Sequence, residues 1–190
     1  MRRSKRVLVG SAAMLVALSL SGCFAQETPD ATSSPSPSTT PVFASEEEAL
    51  AAATEAYGNY QELETEIFGA GGTAAARIEA VSTRAALDEA LAGFARFEHD
   101  GLHSVGEPSF TIAKLQHVSP PAGNGYDVVG AYLCLDVSGV DVLDSKGTSV
   151  VSPTRNSIQA YEISFDQQVG SSDSLVLSSR EIWTGADLCD

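Results

Sequence analysis

Basic residues are scarce in this chain, and the shortage excludes more than any single motif does. Eleven Lys and Arg stand against 25 Asp and Glu over 190 residues, a formal net charge of -14. A phosphate backbone is held by clustered Lys and Arg that displace its counterions, so nucleic acid is excluded as a partner. Long apolar runs are missing too. The apolar stretch Val7 to Leu20 has 14 residues, short of the ~20 that an ordinary membrane span needs. Cysteine and histidine number three each, and they never cluster at metal-ligand spacing. No Gly-rich strand–helix turn, Gly-x-Ser-x-Gly, His-Glu-x-x-His or Ca²⁺ loop occurs. Paired acids for glycoside chemistry do not stand out from the acidic background. Neither a metal nor a cofactor is expected.

What is present at the N-terminus is an export pattern. Arg2, Arg3, Lys5 and Arg6 precede the apolar stretch, which ends in Leu20-Ser21-Gly22-Cys23. A basic segment followed by an apolar one of this length suits a signal peptide. Here the sequence resembles bacterial lipoproteins, whose box reads a branched apolar residue, two small residues and Cys. The resemblance implies a leader over residues 1–22 and a Cys23 that carries a diacylglyceryl thioether and acyl chains such as palmitate. Each buried acyl CH₂ contributes about 0.8 kcal/mol, so two or three chains would hold the protein on the extracellular face of the cell membrane. Without the leader, seven basic residues face all 25 acidic ones, a net charge of -18. Abundant Ala, with Lys114 and Lys146 the only lysines beyond the leader, reads as high-GC coding.

Residues 23–44 run from the acylated Cys23 into a Ser/Thr/Pro-rich tether with few large apolar groups. Such a segment buries too little surface to offset chain entropy and is expected to be disordered. Polyproline II geometry would let it hold a domain up to roughly 60 Å from the membrane. Its Ser and Thr also permit O-linked sugar. Residues 45–190 are then one domain, long enough to bury about two-thirds of its surface.

Ser45 with Glu48 forms a capping box, the Ser hydroxyl on the Glu48 amide and the Glu returning to the cap amide. Glu46, Glu47 and Glu48 sit at the positive end of the helix dipole. Leu50, Ala53, Tyr57, Tyr60, Leu63/Glu64 and Ile67 then make an amphipathic stripe, ended by Gly69, Gly71 and Gly72. Thr73–Val81 reads as a short second helix. A third follows Ser82 or Thr83, carries Leu87, Leu91 and Phe94 on one face, and stops near His99-Asp100-Gly101. Beyond Gly101 the period falls to two: Ser109–Val118, Tyr126–Val137, Asn156–Asp166 and Ser174–Trp183 read as strands between Gly, Pro and Ser turns. Val140–Leu143 and Thr148–Val151 flank a turn at 144–147 and read as a small hairpin. Helices first and strands after give an α+β domain with helices on one face of an antiparallel sheet.

Once Cys23 is acylated, Cys134 and Cys189 remain. An even pair in an exported protein reads as a structural disulfide. Metal ligation needs more converging ligands than surround them, and redox catalysis favours Cys-x-x-Cys.

The order of elements resembles the NTF2-like (SnoaL-like, cystatin-like) fold, a cone in which a bent antiparallel sheet wraps three N-terminal helices. A closer likeness is to small exported proteins of high-GC Gram-positive bacteria with that fold. It is carried by Cys134-Leu135-Asp136-Val137-Ser138, Val142, Asp144, Lys146-Gly147, Arg155, Tyr161, Trp183, Gly185-Ala186 and Cys189. The resemblance implies a cavity, with Tyr57, Tyr60, Tyr132, Asp136 and Trp183 as candidate lining, and it admits a homodimer through the exposed sheet. Asp136 has Arg155 or Arg180 as candidate partners, although alternation also allows it to face water. His99, His103 and His117 read as surface or structural residues. The leading expectation is non-covalent binding or assembly at the cell envelope, with an envelope protein or small molecule as partner. The alternative is a small enzyme of isomerase, dehydratase or hydrolase type with a carboxylate/His site in the cone, since this fold does not fix a function.

Overall fold

The computed structural model describes residues 42–119, 125–171, 174–185 and 188–189. The expected leader, Cys23 and the tether up to residue 41 lie outside the described residues.

Helix α1 spans Glu46–Gly69, with Ser45 extended at its N-cap and its hydroxyl accepting from the Glu48 amide at 3.1 Å. Glu48 reaches one residue past the cap amide expected for it and accepts from Ala44 N–H at 2.7 Å. Its buried face is Ala49, Ala53, Ala56, Tyr57, Tyr60, Gln61, Glu64 and Ile67. The stripe therefore begins at Ala49, and Leu50 is 36% exposed. Phe43, just ahead of the cap, is buried in the same core with Val42 packed against it, so packed structure starts before Ser45.

The chain turns back through Gly72, at φ 85°, where a Cβ would strike the Phe94 carbonyl. Where a second helix was expected there is a short 3₁₀ helix, Ala75–Ala80, entered through Ala74 in the left-handed region and burying only Ile78. Helix α2, Arg84–Asp100, buries Ala86, Ala90 and Phe94, and Gly101 closes it at φ 65°.

The strands are β1 (His103–Val105), β2 (Ser109–Val118), β3 (Val129–Asp136), β4 (Asp141–Leu143), β5 (Ile158–Gln167) and β6 (Leu175–Ile182). Four of them form an antiparallel sheet in the order β2-β3-β5-β6. This is the expected α+β class. Strand β3 starts later than its apolar pattern, because Asp127 is left-handed and its N–H donates to Asp166 at 2.9 Å. The turn at 144–147 forms, with Asp144 N–H donating to Thr148 O at 2.9 Å. The main partner of β4, however, is β1, a three-residue piece too short to show a period.

Register sorts the two faces. Across the sheet, Leu115, Ala131 and Ile163 share one row, and Phe110 and Leu135 another; these side chains meet the helices in the core. The opposite face carries the row Lys114, Tyr132, Glu162 and Glu181. Beside β6 the backbone of Val81–Thr83 adds a rung, with Thr83 N–H donating to Leu177 O at 2.8 Å and Leu177 N–H to Val81 O at 3.1 Å. That covers one sheet edge, which would otherwise offer unpaired groups to another chain.

Candidate site at the buried Glu64–Arg180 pair

The five residues expected to line one cavity do not come together. Tyr57 and Tyr60 are fully buried under α1. Tyr132 and Asp136 alternate with inward Leu133 and Leu135, so they lie on the outer sheet face, where Trp183 packs edge-on against Tyr132 with ring centroids 4.9 Å apart. Asp136 takes neither arginine. Its carboxylate accepts from Ser138 N–H at 2.8 Å, and that bond holds it below the usual carboxylate range. Arg155 instead donates to the Val137 and Val140 carbonyls at 2.9 and 2.8 Å, tying down the turn after β3. A Cβ at Gly185 would run into the Trp183 indole, so the backbone passes close to that ring and leaves no room for a side chain there. Cys134 and Cys189 are joined, Cα atoms 5.6 Å apart, and the bond fixes the C-terminal tail to that outer face.

Arg180 points the other way. Strand β6 carries an irregularity opposite Ser164/Phe165: Ser164 faces Ser179 but Phe165 faces Leu177, which leaves Ser178 as the extra residue of a bulge. One inserted residue reverses which side chains face the core. Arg180 thereby lands opposite buried Ile163 and meets Glu64 of α1, with Nη2···Oε1 at 3.0 Å and Nη1···Oε2 at 3.2 Å. The fork is bidentate, the geometry in which guanidinium and carboxylate bind best. Side-chain exposure is 12% for Arg180 and 8% for Glu64. Glu89, half exposed, adds a longer contact of 3.8 Å.

Tyrosines surround the pair. Tyr60 donates its hydroxyl to Glu64 at 2.8 Å, and the guanidinium stands 5.3 Å from the Tyr60 ring centre and 5.6 Å from that of Tyr161. Burial is the main reason both Tyr57 and Tyr60 hydroxyls are held well above the ordinary tyrosine range; Glu64 adds to the rise and Arg180 opposes it. Tyr161 is raised by burial as well. Burial alone would weaken the charge on Arg180, but Glu64 more than compensates and the guanidinium stays protonated.

Beside the pair opens a pocket of about 230 Å³ between α1, Phe97 of α2, the β1–β4 ribbon and the ends of β3 and β5. Its walls are largely apolar, with Phe68, Leu135, Val137, Val140 and Val142 among them, and its base holds Gln61, Glu64 and Arg180. None of the five expected lining residues contributes, and the lining contains no His, Cys or Asp. No protein-family model, curated protein or solved structure matches this chain.

The histidines lie elsewhere. His99 is exposed, with Nδ1 2.7 Å from Asp100. His117 covers Gly130 on the outer face and stands 3.2 Å from Asp127, and His103 belongs to β1. Among the described residues no three His, Cys, Asp or Glu are placed to hold a metal ion. Sequence reading missed Glu64 and Arg180 as a pair. A signal existed for the first, since Glu64 falls on the apolar stripe four residues after Tyr60 and a buried carboxylate needs a partner.

Proposed function

We propose that this is a lipid-anchored protein of the extracellular face of the cell membrane that acts by binding, without covalent chemistry, through the pocket beside Glu64 and Arg180. The anchoring half rests on the basic segment, the apolar stretch and Leu20-Ser21-Gly22-Cys23. The binding half rests on one observation: the carboxylate at the pocket base is already committed to a bidentate arginine and a tyrosine hydroxyl. A carboxylate so held is a poor general base, because taking a proton would break the pair. No nucleophile–base pair stands in its place among the lining residues, so no observation favours the enzyme reading.

The finer reading of the α+β domain as an NTF2-like cone is supported by a long first helix laid on a four-stranded sheet whose β2 and β6 are irregular. Bulges of that kind bend a sheet. A homodimer through the outer face is less favoured, because Glu162 and Glu181 stand directly opposite each other there and a second copy would bring more charge of the same sign. Membrane fractionation tests the anchor. The wild-type chain should sediment with membranes and Cys23→Ser should appear in the medium; retention of the variant on membranes would overturn the anchored reading.

A further inference from the structure

The two edges of the four-stranded sheet are finished differently. Backbone of Val81–Thr83 covers β6, whereas β2 is the end strand on the other side. Its apolar residues Phe110, Ile112, Leu115 and Val118 pack against the core but stay half-buried, and no residue of β2 is fully buried. Strands β3, β5 and β6 each bury residues completely. Two cavities flank the β2 edge. One, of about 560 Å³, lies between Glu46, Glu47 and Leu50 of α1 and Lys114 to Val118 of β2. The other, of about 460 Å³, lies between Gly58 to Glu66 of α1 and Glu107, Pro108 and Phe110. Leu50, Thr54, Gly58 and Glu62 recur every fourth residue along one flank of α1, which runs opposite to β2. The cavities therefore lie end to end on one seam, roughly 30 Å from Glu46 to Glu66 at the helical rise.

The floor of the seam is apolar. Leu50, 36% exposed, lies with Leu115 and Val118 in one cavity. Phe110 lies in the other, edge-on to Tyr57 with ring centres 4.7 Å apart. The rim is acidic: Glu46, Glu47, Glu62, Glu66 and Glu107 stand against one cation, Lys114. Of these five only Glu66 has an ion-pair partner among the described residues, Arg77. Charge then selects the occupant. A second copy, itself strongly acidic, would set carboxylates against carboxylates. The chain's own residues 24–41 bring Glu27, Asp30 and four prolines but no cation. A strand added to β2 is opposed by the register shifts at Ala113 and Gln116, since bulges blunt an edge against pairing. A helix docks through side chains and needs no such register.

We infer that the seam between α1 and β2 is a docking groove for a basic amphipathic helix of another protein. Its apolar face would cover Leu50, Phe110, Leu115 and Val118, and its flanking Lys or Arg would meet the glutamates, the helix-in-groove mode of recognition. The inference adds a protein partner to the binding reading above and does not depend on it, since neither Glu64 nor Arg180 lines the groove.

Calorimetry of the full chain with three capped peptides of about 20 residues, matched to the seam, tests it. One has Leu and Lys in helical spacing, one Leu and Glu in the same spacing, and one the Leu/Lys composition in strict alternation. The helical Leu/Lys peptide should bind saturably, about tenfold or more tighter than the other two. Amide hydrogen exchange should slow on binding in β2 and α1. Glu62→Lys with Glu107→Lys should weaken binding about tenfold, or 1.4 kcal/mol. Glu98→Lys with Glu181→Lys makes the same charge change away from the groove and should leave affinity within about twofold. All four positions are exposed, and circular dichroism checks that the variants are folded. No saturable binding, slowed exchange confined to other elements, or equal loss in both charge variants would overturn the groove. Equal or tighter binding of the Leu/Glu peptide would overturn its charge selection, and tighter binding of the alternating peptide would replace the helix by an added strand. Protection of β2 in the peptide-free chain that rises with protein concentration, or that is lost on deleting residues 24–41, would assign the groove to a second copy or to the tether and overturn the basic helix.

Discussion

Glu64 and Arg180, 116 positions apart in the chain, meet as a two-pronged ion pair at 3.0 and 3.2 Å between the first helix and the last strand. Both ends are almost wholly buried, so each ion has lost its water and depends on the other. Removing one partner strands a buried charge and is expected to cost about 3–5 kcal/mol, whereas replacing both by apolar groups can be near neutral. In urea unfolding, Arg180→Leu and Glu64→Leu should each be strongly destabilised, and the double variant should be more stable than either. Additive losses in the double variant would show that the pair contributes packing rather than charge.

The tyrosines around that pair predict an alkaline limit to stability. Tyr57 and Tyr60 are held above their ordinary range chiefly by burial, and Tyr161 in the same direction. A tyrosine whose folded pKa is raised contributes stability that is complete below the unfolded value of about 10 and is lost as pH rises towards the folded value. Above about pH 10 the unfolded chain releases protons that the folded chain keeps, so stability must fall with pH. Tyrosinate absorbance should show a delayed component belonging to three of the five tyrosines, coincident with loss of ellipticity. In Tyr57→Phe the delayed amplitude should fall by about a third, one tyrosine of the three. A single early transition with the fold intact would refute the buried cluster.

The two halves of this site differed in how far they could be read beforehand. Helix α1 was legible because cap, acidic first turn and stripe all agree; Glu64 lay on that stripe, four residues after Tyr60. Arg180 was not. Counting by twos from Leu175 and Leu177 turns Ser179 and Glu181 inward, and only the bulge at Ser178 reverses this. Bulges depend on the partner strand, which local periodicity does not contain. The outward course of Tyr132 and Asp136 was readable, since Ala131, Leu133 and Leu135 claim the inner face of β3. The β1–β4 ribbon, which forms one wall of the pocket, left no periodic trace because each strand has three residues.

Phe43 marks the packed boundary of the domain. It is 5% exposed and joins the core formed by α1 and the sheet, although it sits beside a Ser/Thr/Pro-rich stretch. Truncating a buried Phe to Ala typically costs 3–5 kcal/mol, about 3 where neighbours can close the gap. Phe43→Ala in the full chain should lower the urea midpoint, while Val169→Ala, at a fully exposed side chain, should stay within about 0.5 kcal/mol of wild type. Equal stability of the two variants would return residues 42–44 to the tether.

Trp183 reports on the tail. It is the only tryptophan in the chain, its backbone N–H, one residue past β6, donates to Ala160 O at 2.9 Å, and its ring rests on Tyr132. Six residues further on, Cys189 is bound to Cys134, two positions along β3 from Tyr132. The disulfide closes a sequence separation of 55, which on the chain-entropy argument contributes roughly 4 kcal/mol less any native strain. Replacing both cysteines by Ala should therefore lower the urea midpoint. It should also free the tail, so that Trp183 emission shifts to the red as water reaches the indole while the far-ultraviolet spectrum keeps its α+β shape. Alkylation under non-reducing conditions should leave Cys134 and Cys189 unmodified in the wild type. If emission stays unshifted in the double variant, the contact with Tyr132 and the Ala160 hydrogen bond hold Trp183 by themselves, and the disulfide stabilises the chain only through its unfolded state.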